Sequence, residues 1–135
     1  MLSRPVHGWT DITIGDWKDR ASYLTSVPCD MLDKVADILE NRLPTCVYCD
    51  AEGWEYIIVF DHFTTFIIHQ EESNQLISVD IKIEDIAKEL LKDIKDYFED
   101  WVIWDPDYDK NNVEEYRNQL KEKVERLENL IKERF

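Results

Sequence analysis

The sequence predicts a single α+β domain that extends over residues 1–135. Six short runs of β-forming residues lie before Lys82, and the connections between consecutive runs leave no room for a parallel crossover except where one helix intervenes. Beyond Lys82 the apolar period changes from two to about 3.6. We therefore expect an antiparallel sheet of about six strands, packed with two to three helices and ending in a C-terminal helical hairpin.

The first two β-like runs predict a hairpin. They cover residues 9–14 and 20–25, and residues 15–19 between them have the composition of a turn. A helix is expected over residues 28–42, where apolar residues recur at three- and four-residue spacing. Pro28 favours the first turn of this helix, with Ser26 or Val27 near the N-cap.

The middle of the chain predicts a β-meander followed by two helices. Its four runs are residues 45–50, 54–60, 63–69 and 75–81, separated by short polar turns. Residues 83–101 carry a continuous apolar stripe, so we expect this helix and the helix at 28–42 to cover one face of the sheet. A narrower stripe over residues 112–135 predicts a last helix packed alongside.

The charge balance points to the class of partner. The chain has 30 acidic and 16 basic residues, a net charge of −14 at pH 7. A negative field repels nucleic acid and anionic lipid, and it attracts basic proteins or cations at long range. We therefore expect no direct nucleic-acid or membrane binding. Acidity that serves solubility alone is the alternative reading.

The three cysteines and the N-terminal residues suggest a cytoplasmic protein. An odd number of cysteines does not make the even disulfide framework of small secreted domains, and it suits a reducing compartment. The first residues lack the apolar stretch of a signal peptide, and no apolar run approaches the roughly 20 residues of a membrane span. The expectation is a soluble protein in the cytoplasm, with a monomer favoured.

Cys46 and Cys49 form a CxxC pair within a predicted strand. A redox pair needs its first thiol at a helix N-terminus, and an offset of three places these two side chains on opposite faces of a strand. A zinc site with two of His7, His62 and His69 has suitable ligand types but no second CxxC or HxxxH partner. One buried and one exposed cysteine is the preferred interpretation.

The segment from Asp105 to Asn111 resembles the start of an EF-hand calcium loop, with carboxylates at alternate positions. Lys110 stands where that loop needs glycine, and Tyr116 stands where it needs a bidentate glutamate. Weak binding of a divalent cation is one interpretation. The other is a solvated loop whose Asn111 or Asn112 caps the last helix.

No catalytic motif is present. The sequence has no nucleophile elbow, phosphate-binding glycine loop or HExxH pair, and it has only three glycines. We expect a protein that is not an enzyme, needs no cofactor and has no metal site.

Acidic residues and large aromatic residues cluster in the predicted turns. Protein interfaces often have aromatic side chains as binding hot spots, and the charges around them help to select the partner. These clusters are therefore candidates for a partner-binding surface. The alternative is that the tryptophans belong to the core and the acids are ordinary turn residues. The predicted partner-binding residues are Glu52, Trp54, Glu55, Glu71, Glu72, Trp104, Asp105, Asp107, Tyr108 and Asp109.

Several short segments together resemble small acidic immunity proteins of bacterial polymorphic-toxin and contact-dependent growth-inhibition systems. They lie within about residues 7–60 and are Gly8-Trp9, Ile12 to Asp16, Ser22 to Thr25, Val27-Pro28 and Asp50 to Gly53. The resemblance implies a cytoplasmic antitoxin that binds a basic toxin domain, such as a nuclease, and blocks its active site or substrate surface. It carries over no inhibitory residue, because these families share none.

The functional expectation is therefore a binding protein that neutralises a basic protein, with the immunity protein as its most specific form. Two alternatives remain open at this point. One is an acidic mimic of nucleic acid that inhibits a DNA- or RNA-binding enzyme. The other is a helical interaction module that dimerises through a coiled-coil seam on residues 112–135.

Overall fold

A computed structural model of the protein describes residues 1–70 and 75–135. Within these residues it confirms the α+β class, with six strands and four helices. The chain order is β1 (Trp9–Ile14), β2 (Trp17–Ser22), α1 (Val27–Asn41), β3 (Thr45–Asp50), β4 (Glu55–Phe60), β5 (Thr64–His69), β6 (Gln75–Asp80), α2 (Ile83–Asp96), α3 (Phe98–Val102) and α4 (Lys110–Arg134).

The six strands form two antiparallel sheets, where the sequence suggested one. β1 and β2 make a two-stranded hairpin, and β3 to β6 make a four-stranded meander in sequence order. β2 begins three residues earlier than expected, because Ile14 pairs directly with Trp17 and leaves only Gly15 and Asp16 as the turn. Gly15 has φ 57, a left-handed conformation that glycine adopts without strain.

The four-stranded sheet buries one face, which we call the inner face. Tyr56, Ile58 and Phe60 of β4 point to this face and are fully buried. Helix α1 packs there against β3 and β4. The hairpin is attached to the same face, because the Tyr56 hydroxyl donates to the Arg20 carbonyl oxygen at 2.7 Å and the Trp17 ring meets the Tyr56 ring edge-on at 5.4 Å.

Helix α1 begins and ends within one residue of the expected bounds, whereas the next expected helix is divided. Ser26 is the N-cap of α1, and Arg42 ends that helix in a left-handed conformation. The expected helix at 83–101 is broken at Tyr97 into α2 and the short α3. Helix α2 packs chiefly on α1 and α4 and not, as expected, as a second cover on the sheet.

The last helix, α4, buries its apolar stripe within the same molecule. Tyr116, Leu120, Val124, Leu127 and Leu130 are buried against α1 and α2. Lys123 donates to Asp33 at 2.6 Å beside this contact. The seam that the coiled-coil alternative assigned to a second copy is therefore occupied by the chain itself.

Candidate functional site

The acidic residues of the helices and those of the turns differ in their partners. Many helix carboxylates pair with lysine or arginine: Arg126 bridges Asp37 and Glu40 at 2.9 and 2.5 Å, and Lys95 binds Glu128 at 2.7 Å. The Lys95 ammonium lowers the pKa of Glu128, chiefly through this hydrogen bond. These pairs neutralise part of the negative charge of the helices locally.

Turn acids lack such neighbours. None of the carboxylates at Asp50, Glu52, Glu55, Asp105, Asp107 and Asp109 forms an ion pair with a residue that the structure describes. Negative charge is therefore left uncompensated in the turn between β3 and β4 and in the loop before α4.

Carboxylates of both segments act electrostatically on Tyr23, a half-buried residue just after β2. Asp107 raises the pKa of the Tyr23 hydroxyl most strongly, and loss of hydration, Glu52 and Asp105 raise it further. We call Tyr23, Glu52, Asp105 and Asp107 the Tyr23 surface. It joins residues that lie more than fifty positions apart in sequence.

Local geometry holds each member of the Tyr23 surface. The Tyr23 ring lies over Gly8, where an added Cβ would stand 2.6 Å from the ring. Glu52 sits at the tip of the tight β3–β4 turn with φ 55, and its backbone N–H donates to the Asp50 carboxylate at 2.7 Å. The Asp105 carboxylate accepts from the Asp107 backbone N–H at 2.9 Å, which shapes the loop as an Asx turn.

Asp109 is the N-cap residue of helix α4. Its carboxylate accepts from the Asn112 backbone N–H at 2.9 Å, and the Asn112 side chain accepts from the Asp109 N–H at 3.4 Å. The pair makes a capping box at the start of α4. Asp109 is thus the N-cap that the sequence assigned to Asn111 or Asn112, and its predicted partner-binding role competes with this bond.

The predicted aromatic anchors are mostly used within the fold. Trp104 is only 5 % exposed and packs edge-on against Trp101 at 5.2 Å, so it is a core residue and not a surface anchor. Tyr108 is half-buried and meets the Tyr116 ring edge-on at 5.3 Å. Trp54 is half-buried beside the core, and its indole N–H is bonded to Asp19.

The remaining predicted residues divide into two cases. Glu55 begins β4 and accepts a hydrogen bond from the Tyr48 hydroxyl. Glu71 and Glu72 lie outside the described residues.

Tyr23 is not among the residues predicted from the sequence, because residues 20–25 have the composition of a strand. The signal that could have identified it is an aromatic residue close to the turn-forming Thr25 and Ser26.

Among the described residues, the cysteines and histidines do not form a metal site. Cys46 is exposed and Cys49 is buried, as the offset of three predicts. Burial raises the pKa of the Cys49 thiol to about 12, which keeps it protonated and unreactive. Among residues 1–70 and 75–135 no group of three or more His, Cys, Asp or Glu side chains is arranged to hold a metal ion.

Comparison with known proteins gives no further guidance to the site, since no family model, curated protein or solved structure matches the chain. None of the helices in the described part of the chain is both long enough and apolar enough to cross a membrane.

Proposed function

We propose that this chain is a binding protein that neutralises a basic protein partner through the Tyr23 surface, in the way an immunity protein neutralises its cognate toxin domain, such as a nuclease. One observation carries the proposal. Glu52, Asp105 and Asp107 all raise the pKa of one partly exposed tyrosine, Tyr23, and no described lysine or arginine pairs with them.

The physical basis is long-range attraction followed by a short-range anchor. Uncompensated carboxylates raise the rate at which a cationic protein meets this surface, and the effect falls as salt is added. A tyrosine at the centre provides a rigid aromatic anchor with a polar tip. The proposed inhibition is stoichiometric: the bound chain covers the partner's active site or substrate surface. It requires no catalysis, cofactor or nucleic acid.

The proposed place of action is the cytoplasm. Cys46 is an exposed free thiol, which suits a reducing compartment. The resemblance of the 7–60 region to immunity proteins supports the same assignment.

The test begins with the protein encoded beside the gene for this chain, expressed with and without the chain in a bacterial host. We expect that protein to be basic and to stop growth, and co-expression to restore growth. Stopped-flow association at low salt then compares the wild type with the triple variant Glu52→Lys, Asp105→Lys and Asp107→Lys. The on-rate of the variant should fall by roughly tenfold or more.

A matched control separates this surface from net charge. Glu122, Glu125 and Glu133 are exposed on α4, and reversing all three to lysine changes the net charge from −14 to −8, as the first triple does. The control should keep most of the wild-type on-rate. If the on-rate falls equally in the two variants, the attraction depends on the overall net charge and not on the Tyr23 surface. If the on-rate falls in neither variant, acidic residues do not contribute to association.

A further inference from the structure

The face of the four-stranded sheet opposite α1, which we call the outer face, is apolar at its centre. Ile57 and Val59 of β4 and Phe66 and Ile68 of β5 alternate with the buried inner-face residues and are partly exposed. None of these four belongs to the core cluster of the described residues or packs against it. A strand that is apolar on both faces usually has both faces covered.

The strand register joins these side chains into two rows. Tyr48 lies opposite Ile57, Ile57 opposite Ile68, and Ile68 opposite Leu76, so one row crosses all four strands. The second row, one step along, runs through Cys46, Val59, Phe66 and Ser78. Leu76 is 67 % exposed and Tyr48 is 41 % exposed.

The size of this face suits the centre of a protein interface. Four strands about 4.8 Å apart and six residues long, at about 3.3 Å per residue, present roughly 300–400 Å². The face as a whole is therefore about half of what each partner contributes to a standard interface of about 800 Å² a side, and the apolar rows occupy its centre.

Acidic residues stand at both ends of the outer face. Asp50 and Glu55 are cross-strand neighbours at the end near the β3–β4 turn, and Asp80 lies opposite Thr64 at the other end. The sequence from residue 43 to residue 81 contains seven acidic residues and no lysine or arginine. An apolar centre with a purely acidic border is complementary to a basic surface that carries an apolar anchor.

We propose that the outer face is the second half of the partner's docking surface and holds an apolar segment of the basic protein whose lysines or arginines meet Asp50, Glu55 and Asp80. The proposal rests on the proposed function and extends its footprint from the Tyr23 surface, through Glu52 and Asp50, onto the sheet. A second copy of this chain is a poorer occupant, because it would bring two molecules of net charge −14 face to face.

The test uses a synthetic peptide with a central run of leucines and lysines at both ends, so that the leucines can lie on the apolar rows while the lysines reach the acidic residues at the two ends of the face. Two reference peptides replace leucine by serine, or lysine by glutamate. Cys46 reports occupancy directly, because it lies on the outer face and is the exposed one of the three thiols. Binding of the Lys-Leu peptide should slow alkylation of Cys46 by N-ethylmaleimide severalfold, and neither reference peptide should do so.

A pair of leucine substitutions provides the matched control. Leu76 and Leu43 are both 67 % exposed, but Leu76 lies on the outer face and Leu43 lies between α1 and β3. Leu76→Lys should weaken binding of the Lys-Leu peptide by roughly tenfold, as expected for loss of an interface anchor, and should remove the protection of Cys46. Leu43→Lys should leave both unchanged.

The outcomes separate this inference from the proposed function. Peptide binding that is lost on charge reversal at Glu52, Asp105 and Asp107, while Leu76→Lys and Cys46 protection show no effect, would overturn the outer-face inference alone. The proposed function is decided separately, because an unchanged on-rate of the basic protein with that triple variant would contradict it whatever the peptide does. Sedimentation at rising concentration should show a monomer; a dimer that Leu76→Lys dissociates would assign the face to a second copy and overturn the inference.

Discussion

The indole N–H of Trp54 donates to the carboxylate of Asp19, at 3.1 and 3.3 Å from its two oxygens. This bond ties the turn of the four-stranded sheet to the two-stranded hairpin. The guanidinium of Arg20 lies 5.0 Å from the Trp54 ring and 5.0 Å from the Trp9 ring, so a cation fills the space between two indoles. Trp54 therefore fastens the two sheets together.

Replacing Trp54 by phenylalanine should lower the free energy of unfolding by about 1–3 kcal/mol, since it removes the donor to the partly buried Asp19 carboxylate. Trp9→Phe is the matched control, because it removes a similar area from the other side of Arg20 and no side-chain hydrogen bond. Urea denaturation measures both. Equal losses would mean that the Trp54–Asp19 bond contributes nothing measurable.

The Tyr23 surface predicts an abnormal tyrosine titration. Neutralising the acids with Glu52→Gln, Asp105→Asn and Asp107→Asn should lower the pKa of Tyr23, because each carboxylate disfavours the phenolate. Asp107→Asn alone should account for the largest part of the change. NMR titration of tyrosine labelled with ¹³C at Cζ measures this pKa, and Glu122→Gln, Glu125→Gln and Glu133→Gln serve as the control. If the triple variant at Glu52, Asp105 and Asp107 leaves the pKa of Tyr23 unchanged, these carboxylates do not lie close to the Tyr23 hydroxyl.

Much of the fold could be predicted because its signals are local. The β3 bounds at 45–50 and the start of α2 at Ile83 follow from alternation and from the change of period. The start of β2 could not be found in this way, because Trp17 and Lys18 look equally suitable for a long turn or a strand. Only the pairing of Trp17 with Ile14 decides between them.

The candidate site was less predictable, because it depends on contacts between distant segments. Trp54 and Trp104 both stand beside acidic residues in the sequence. In the structure Trp54 donates a hydrogen bond to Asp19 of the hairpin, whereas Trp104 is buried in the core. Glu52 and Asp105 come together only once α1, the sheet and the helices have packed. The outer face does have a local signal in the sequence. Residues 56–60 are all apolar or aromatic, so both faces of this strand are apolar.

The three thiols should differ in reactivity. In the native protein one thiol should react rapidly with a disulfide reagent such as DTNB, and all three should react in denaturant, since Cys29 and Cys49 are buried and Cys46 is exposed. Burial also raises the pKa values of Cys29 and Cys49, so few thiolates form there at neutral pH. Cys46→Ser should leave no fast reaction. A fast phase in that variant would show that a buried cysteine is accessible.

Gly8 should be intolerant of a side chain because of Tyr23. Its φ of 79 costs an L-residue about 1–2 kcal/mol, and a Cβ would press on the Tyr23 ring at 2.6 Å. Gly8→Ala should therefore destabilise the wild type more than it destabilises a Tyr23→Ala variant, where only the backbone cost remains. A double-mutant cycle by urea denaturation gives the difference. Additive effects would place the Tyr23 ring elsewhere than over Gly8.

The packing of α4 predicts how its central leucine should behave. Leu120 is fully buried against the rest of the chain, so Leu120→Ala should lower the free energy of unfolding by about 2–5 kcal/mol through lost burial and a residual cavity. Because the stripe is used within one molecule, the mass in solution should be the same for variant and wild type. Lys121→Ala, at the exposed neighbouring position, should change stability by less than about 0.5 kcal/mol. A wild-type dimer that Leu120→Ala converts to a folded monomer would instead place this seam between two copies.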